Sequence, residues 1–207
     1  MQRACYRKSI RGITVKKVTF IFIAVILLSI TFAACSQPKE NDDAAIAVPE
    51  IYNRSINFGM SEEDVTTLEA ELTFDTDYSR TETGTEHTIK CIESNNSVQI
   101  NDAEAIISYV FLDDALVQIE YNIQVVYPKS NLIDMPAFQV YNKQVADLSE
   151  IIGLPSETSS DEYETFNSKI SIWNTSDLTV SIDVMQTTET FSDDDINDDV
   201  RITMVSI

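Results

Sequence analysis

Two neighbouring stretches of the chain alternate strictly between apolar and polar side chains, and this period of two constrains the fold more than any other feature. In residues 103–111 the apolar side chains on one face are Ala105, Ile107, Tyr109 and Phe111. Asp113-Asp114 interrupts the pattern, which resumes over residues 117–125 with polar Gln118, Glu120, Asn122 and Gln124 in between. Two alternating runs across a short turn predict an antiparallel hairpin. We expect its apolar face to be packed and its polar face to be wet.

A short helix is predicted ahead of these strands. Ser61 can cap the helix, with Asp64 three residues later as an acidic variant of the capping box. Val65, Leu68 and Leu72 follow at helical spacing. We therefore expect an amphipathic helix from Ser61 to about Leu72.

A second helix is predicted from Pro136 to Ile152. Its apolar stripe is formed by Phe138, Tyr141, Val145, Leu148 and Ile152. Gly153 is placed to end the helix with a positive φ, Leu154 can make the accompanying apolar contact, and Pro155 blocks continuation.

Four further strands are predicted at Thr85–Ile92, Lys169–Trp173, Thr179–Val184 and Val200–Ile207. The resulting order is helix, three strands, helix, three strands, with residues 103–111 and 117–125 completing the first set. This order predicts an α+β fold in which two short helices pack on antiparallel sheet, as a loose duplication.

The first 34 residues have the layout of an export signal. Residues 1–17 carry six basic and no acidic side chains, and residues 18–34 carry no charge at all. The segment ends in Phe32-Ala33-Ala34-Cys35, which resembles the lipobox of bacterial lipoproteins. That resemblance implies cleavage before Cys35 and attachment of a diacylglyceryl group to the Cys35 thiol, alongside acylation such as palmitate. The alternative is an uncleaved signal anchor, since 17 uncharged residues lie at the short end for a spanning helix.

This layout divides the chain into three parts. Residues 1–34 are the predicted lipoprotein signal peptide, residues 35–48 a lipidated cysteine with a flexible acidic tether, and residues 49–207 a single domain. Two acyl chains anchor a protein stably without a transmembrane helix. We therefore expect the domain on the extracytoplasmic face of the cell membrane.

Strong negative charge narrows the classes of partner. Removal of residues 1–34 leaves 8 basic against 34 acidic side chains, a formal charge of −26. Nucleic acid and anionic headgroups are disfavoured by repulsion. Basic partners and divalent cations stay compatible with this charge, which also favours solubility.

The cysteines predict no internal disulfide. Cys5 lies in the signal segment and Cys35 is predicted to be lipidated, which leaves Cys91 alone. Cys91 sits in a strand-like run, where a buried small hydrophobic residue is expected and a reactive thiol is the alternative.

Three motifs carry a family resemblance: Phe58-Gly59-Met60-Ser61-x-x-x-Val65-x-x-Leu68-Glu69, Tyr109-x-Phe111-x-x-x-x-Leu116-x-x-Ile119-x-Tyr121, and Leu148-x-x-x-x-Gly153-x-Pro155. They resemble BamE-like (SmpA/OmlA) and β-lactamase-inhibitor-protein-like domains. The resemblance implies a small α+β scaffold that binds proteins and is not an enzyme. It transfers no functional residue, because the shared positions are structural: Phe58, Met60, Val65 and Leu68 as core, and Gly59 as a turn.

The search for catalytic chemistry yields little. His87 is the single histidine, in a polar stretch where a surface position is expected. No Gly-x-Ser-x-Gly, His-Glu-x-x-His or phosphate-loop motif occurs. We predict no catalytic residue, no metal ligand and no cofactor, with a hydrolase built from dispersed carboxylates as an alternative.

The acidic segment from Asp193 to Asp199 supports a second alternative. Asp193, Asp195 and Asn197 have the 1, 3, 5 spacing of a calcium loop. Asp198 replaces the glycine that the turn of an EF-hand needs, and Met204 replaces its chelating glutamate. A solvated acidic hairpin tip is therefore expected, and a cation-responsive surface protein that binds calcium through residues 193–199 is the alternative.

Trp173 could lie either in the core or on an exposed aromatic binding surface. It follows Ile170 and Ile172 in a strand-like run, so burial is expected over an exposed aromatic surface.

The predicted anchor, the strong negative charge and the missing catalytic motifs together predict the function. The sequence predicts a non-enzymatic protein-interaction module that uses the polar face of a sheet.

Overall fold

A computed structural model of the chain describes residues 48–81, 86–189 and 195–207. Two α-helices are described, α1 (Glu62–Leu68) and α2 (Pro136–Ile152), with short 3-10 helices at Glu50–Tyr52 and Lys129–Asp134. The described strands are β1 (Phe74–Thr81), β2 (Thr88–Ser94), β3 (Val98–Ile100), β4 (Ala103–Leu112), β5 (Ala115–Tyr127), β6 (Glu157–Glu162), β7 (Phe166–Asn174), β8 (Leu178–Thr187) and β9 (Ile196–Ser206).

The strands form one antiparallel sheet in the order β1-β2-β4-β5-β9-β8-β7-β6, with β3 paired to β4 beside this path. The predicted α+β fold of two helix-plus-three-strand repeats is wrong. The described chain is mostly antiparallel sheet with few short helices. Five strands follow α1 and four follow α2, and the two sets join through β5 and β9.

The missed strands explain the error. β1 and β6 are the two edges of the sheet, and all their residues except Phe74 are exposed. Without a buried face these strands show no apolar alternation, so the sequence predicts a strand at neither segment. β3 is only three residues long, below the length at which alternation is visible.

The central hairpin of β4 and β5 is confirmed. Asp113 and Asp114 both have positive φ, 50° and 69°, as a tight two-residue hairpin turn requires. A register shift after Val110 pairs Phe111 with Leu116, which is buried in the core.

Helix α1 begins as predicted and ends early. The Ser61 hydroxyl accepts from the Asp64 amide, and Asp64 Oδ2 accepts from the Ser61 amide, which completes the capping box. The helix stops at Leu68, four residues before the predicted end. Leu68, the last residue of the helix, is 51% exposed, so the prediction that it belongs to the core is wrong.

Helix α2 has the predicted bounds, and Gly153 follows it with φ of 89°. The N-terminus of α2 is capped by a side chain of β8. Gln186 Oε1 accepts hydrogen bonds from the amides of Ala137 and Phe138. Leu154 is 86% exposed, so the contact predicted for it is wrong.

The core lies between α2 and one face of the sheet. It contains, among others, Val65, Ile107, Tyr121, Tyr141, Leu148, Val180, Ile182, Val200 and Ile202. Residues 48–58 join this layer: Val48, Tyr52, Ile56 and Phe58 are all buried. The carbonyl of Tyr52 accepts from the Tyr121 hydroxyl, while the Tyr52 hydroxyl donates to Gln144 of α2. Residues 48–58 therefore lie on the α2 side of the sheet.

Buried polar groups within this layer have partners. Glu69 is 4% exposed and receives hydrogen bonds from the Arg54 guanidinium and the Tyr109 hydroxyl.

Among the described residues, no helix is long and apolar enough to cross a membrane.

Candidate functional site

The second face of the sheet, opposite α2, is called the polar face here. Its central residues follow from the strand register. Asn122 of β5 pairs with Arg201 of β9, and Arg201 pairs in turn with Asp183 of β8. Two residues before Asn122 on β5, Glu120 pairs with Thr203 of β9. Directly paired residues of an antiparallel sheet share a face, so these side chains stand side by side.

Local sequence forces this arrangement. On each of β5, β8 and β9 the core residues occupy every second position, for example Tyr121, Ile182 and Ile202. The intervening polar residues must then point to the other face. We name the group formed by Glu120, Asn122, Asp183, Asp199 and Arg201 the Arg201 cluster.

Three carboxylates surround one guanidinium in the Arg201 cluster. Arg201 Nε lies 3.2 Å from Glu120 Oε1, and the two side chains are 33% and 26% exposed. Burial raises the pKa of Asp183 to about 6, against the opposing effect of Arg201. Burial likewise raises the pKa values of Glu120 and Asp199. The neighbouring strands thus hold carboxylates in surroundings that disfavour their charged forms.

Four buried side-chain atoms on this face form no hydrogen bond among the described residues, although one of them, Arg201 Nε, lies within ion-pair distance of Glu120 Oε1. They are Asn122 Oδ1, Asp183 Oδ2, Arg201 Nε and Thr203 Oγ1. An unsatisfied buried polar group costs about 1–3 kcal/mol, and native proteins contain few of them. All four lie on three adjacent strands and point to the same side, which makes this the one region of the described chain where such atoms collect.

Apolar side chains flank the Arg201 cluster on both sides. Ile170 of β7 pairs with Asp183, and Ile106 of β4 pairs with Asn122. Met185, two residues from Asp183 on the same face, is 44% exposed. The polar face therefore combines a charged centre with apolar flanks.

The residues singled out from the sequence lie elsewhere. Cys35 is outside the described residues. His87 is exposed and pairs with Asp113 at the β4–β5 turn. Cys91 and Trp173 are both buried, as predicted, and Trp173 Nε1 donates to the Gly153 carbonyl. Burial raises the pKa of the Cys91 thiol to about 12.

The predicted calcium segment is only partly described, because Asp193 and Asp194 lie outside the described residues. Asn197, Asp198 and Asp199 belong to β9, so they point alternately to opposite faces. Asp198 Oδ2 accepts from the Tyr127 hydroxyl, from Gln186 Nε2 and from the Thr187 amide. Within the described ranges, no group of three or more His, Cys, Asp or Glu side chains could hold a metal ion.

Two of the surface cavities along the described residues lie away from the Arg201 cluster. One of about 380 Å³ lies beside Leu132, Ile133 and Thr187, and another of about 300 Å³ beside Lys90, Phe111 and Asp113. The carboxylates with raised pKa values lie on the open polar face. They do not line either cavity.

Sequence reasoning placed Glu120 and Asn122 on a polar face but did not find the Arg201 cluster. The sequence feature that could have indicated the cluster is a lone basic residue, Arg201, in a strand that also carries Asp198 and Asp199. Its partners come from β5 and β8, and strand order could not be read from alternation alone.

The sequence matches no protein-family model, and comparisons with curated proteins and with solved structures give no significant match.

Replacing Asp183 by Asn is expected to stabilise the protein near neutral pH. A carboxyl group with a raised pKa stabilises the folded state below its unfolded pKa of roughly 4, and this contribution is lost as pH rises through about 6. The neutral amide of asparagine does not ionise, so the variant does not lose stability as the pH rises. It should be more stable than wild type by about 2 kcal/mol at about pH 7.5 and equal to wild type near pH 4. Urea unfolding at both pH values measures the difference.

Asp177→Asn is the matched control, since Asp177 is an exposed residue of the β7–β8 turn and the change removes the same charge. A stability gain in the Asp177 variant as large as in the Asp183 variant would show that net charge, and not burial, is responsible.

Proposed function

We propose that the protein is a lipid-anchored, extracytoplasmic, non-enzymatic module that binds another envelope or secreted protein through the polar face. The observation that carries the proposal is the collection of buried polar atoms without a hydrogen bond at the centre of that face, Asn122 Oδ1, Asp183 Oδ2 and Thr203 Oγ1. Each exposes less than 1 Å², so a partner would offset their desolvation cost only if these side chains turn toward it on binding.

The position of the N-terminal segment supports the same function. The chain enters the described domain at Val48, within the layer that contains α2. The polar face lies on the opposite side of the sheet from residues 48–58, so this segment does not cover it.

Charge supports a protein partner over other classes. A formal charge of −26 on residues 35–207 opposes association with nucleic acid and with anionic lipid surfaces. Complementary charge accelerates encounter with a basic protein surface. The resemblance of the α1 start to BamE-like and β-lactamase-inhibitor-protein-like domains points to the same class of function and stays a prediction.

Changing Cys35 to Ser is expected to abolish lipid anchoring, since the thiol is the proposed attachment atom. The variant should not incorporate radiolabelled palmitate in cells and should leave the membrane fraction. Cys91→Ser serves as the control and should keep both label and membrane association, because Cys91 is buried in the sheet. Retention of label by the Cys35 variant would refute the anchor.

Photo-crosslinking tests the binding face. A benzoylphenylalanine residue at Met185, exposed on the polar face, is expected to trap one discrete protein in intact cells. The same residue at Asn142, exposed on α2, is the control and should give no specific product. Equal product patterns from both positions, or no product from Met185, would contradict the proposed function.

A further inference from the structure

We propose that the Arg201 cluster is a receptor for a basic side chain, preferably an arginine guanidinium, presented by the protein partner. This inference rests on the proposed function, because it names the chemistry by which a partner would be held on the polar face.

The unpartnered atoms define the chemistry of the ligand. Asp183 Oδ2 and Asn122 Oδ1 are acceptors that receive no hydrogen bond within the described chain. They lie on either side of Arg201, on β8 and β5. Each exposes less than 1 Å², so a partner can satisfy them with N–H or O–H donors only after the two side chains turn outward. The carboxylate favours donors that carry positive charge.

The charge balance points the same way. Arg201 is within ion-pair distance of Glu120, at 3.2 Å, and no ion pair joins it to Asp183 or Asp199 among the described residues. Three carboxylates facing one guanidinium leave two negative charges uncompensated when all are ionised. A cation from a partner would compensate one of these two negative charges.

The flanks of the cluster suit a long basic side chain. Ile170 lies directly beside Asp183, and Met185 is exposed two residues away on the same strand. The aliphatic stem of Arg or Lys can cover such apolar groups while its charged end reaches a carboxylate. A guanidinium is the better fit, since it is weakly hydrated and carries several donors in a planar fork.

The charged groups around Asp183 come from two strands. β9 contributes Arg201 and Asp199, and β5 contributes Glu120. On β7 the facing residues are Ser168, Ile170 and Ile172, none of which titrates. Binding of a cation should therefore follow ionisation of the carboxylates of the Arg201 cluster, all of which have pKa values raised by burial, that of Asp183 to about 6.

The test uses the full chain, extracted from membranes in detergent and labelled with carbon-13 at methionine methyl groups. The probe is N-acetyl-arginine methylamide, and its neutral isostere N-acetyl-citrulline methylamide is the control ligand. The Met185 methyl reports on the cluster, while the Met135 methyl, 41% exposed beside the start of α2, is the internal control. We expect the arginine probe to shift the Met185 signal saturably at about pH 7.5 and to leave Met135 unchanged.

Protein variants and pH complete the test. Asp183→Asn should weaken the arginine effect about tenfold, Asp177→Asn should preserve it, and lowering the pH to about 5 should weaken it in wild type. An equal response to citrulline, or an unchanged response in Asp183→Asn, would overturn the inference. If Met185 still crosslinks one partner in cells while the arginine probe has no effect, the receptor is refuted and the proposed function stands. Loss of the crosslink as well would refute both.

Discussion

The single helix layer can bury only one face of the described sheet, and most features of the molecule follow from this constraint. Helix α2 and residues 48–58 cover one face with apolar side chains. Every strand that contributes to that core must direct its alternate residues to the other side. At the edges these residues are fully hydrated, but in the middle of a broad sheet their neighbours partly enclose them. The polar face is therefore most desolvated at its centre, where the charges of β5, β8 and β9 meet.

A sheet that needed only to be soluble could carry small hydroxyl side chains at these central positions, as it does at Ser181. Instead it carries Glu120, Asp183 and Arg201, whose burial raises the pKa values of both acids. Groups that cost stability in the free protein are a recurring property of functional sites. By contrast, the buried acids of the helix side, Glu69 and Asp198, have hydrogen-bond partners. The helix side thus provides hydrogen bonds for its buried acids, whereas on the polar face Asp183 Oδ2 receives none from the described chain.

Local patterns predicted what depends on local interactions. The capping box at Ser61, the bounds of α2 and the β4–β5 hairpin all involve residues close in sequence, and all three are confirmed. The predicted repeat failed because the exposed edge strands have no buried face to create a pattern. The Arg201 cluster joins β5 to β9 across about 80 residues of sequence, and no local signal specifies that pairing. The cap of α2 by Gln186 is distant in the same way.

Cysteine accessibility in intact cells tests most directly whether the polar face is a binding surface. A cysteine at Gln124, exposed on the polar face, is compared with one at Glu150, exposed on α2. The native Cys91 thiol adds no background, because it is buried and its pKa is raised to about 12. Occupancy by a partner predicts that maleimide labels the Gln124 position much more slowly in cells than in purified protein, with no such change at Glu150. Equal labelling rates at the Gln124 position in both settings would contradict the account.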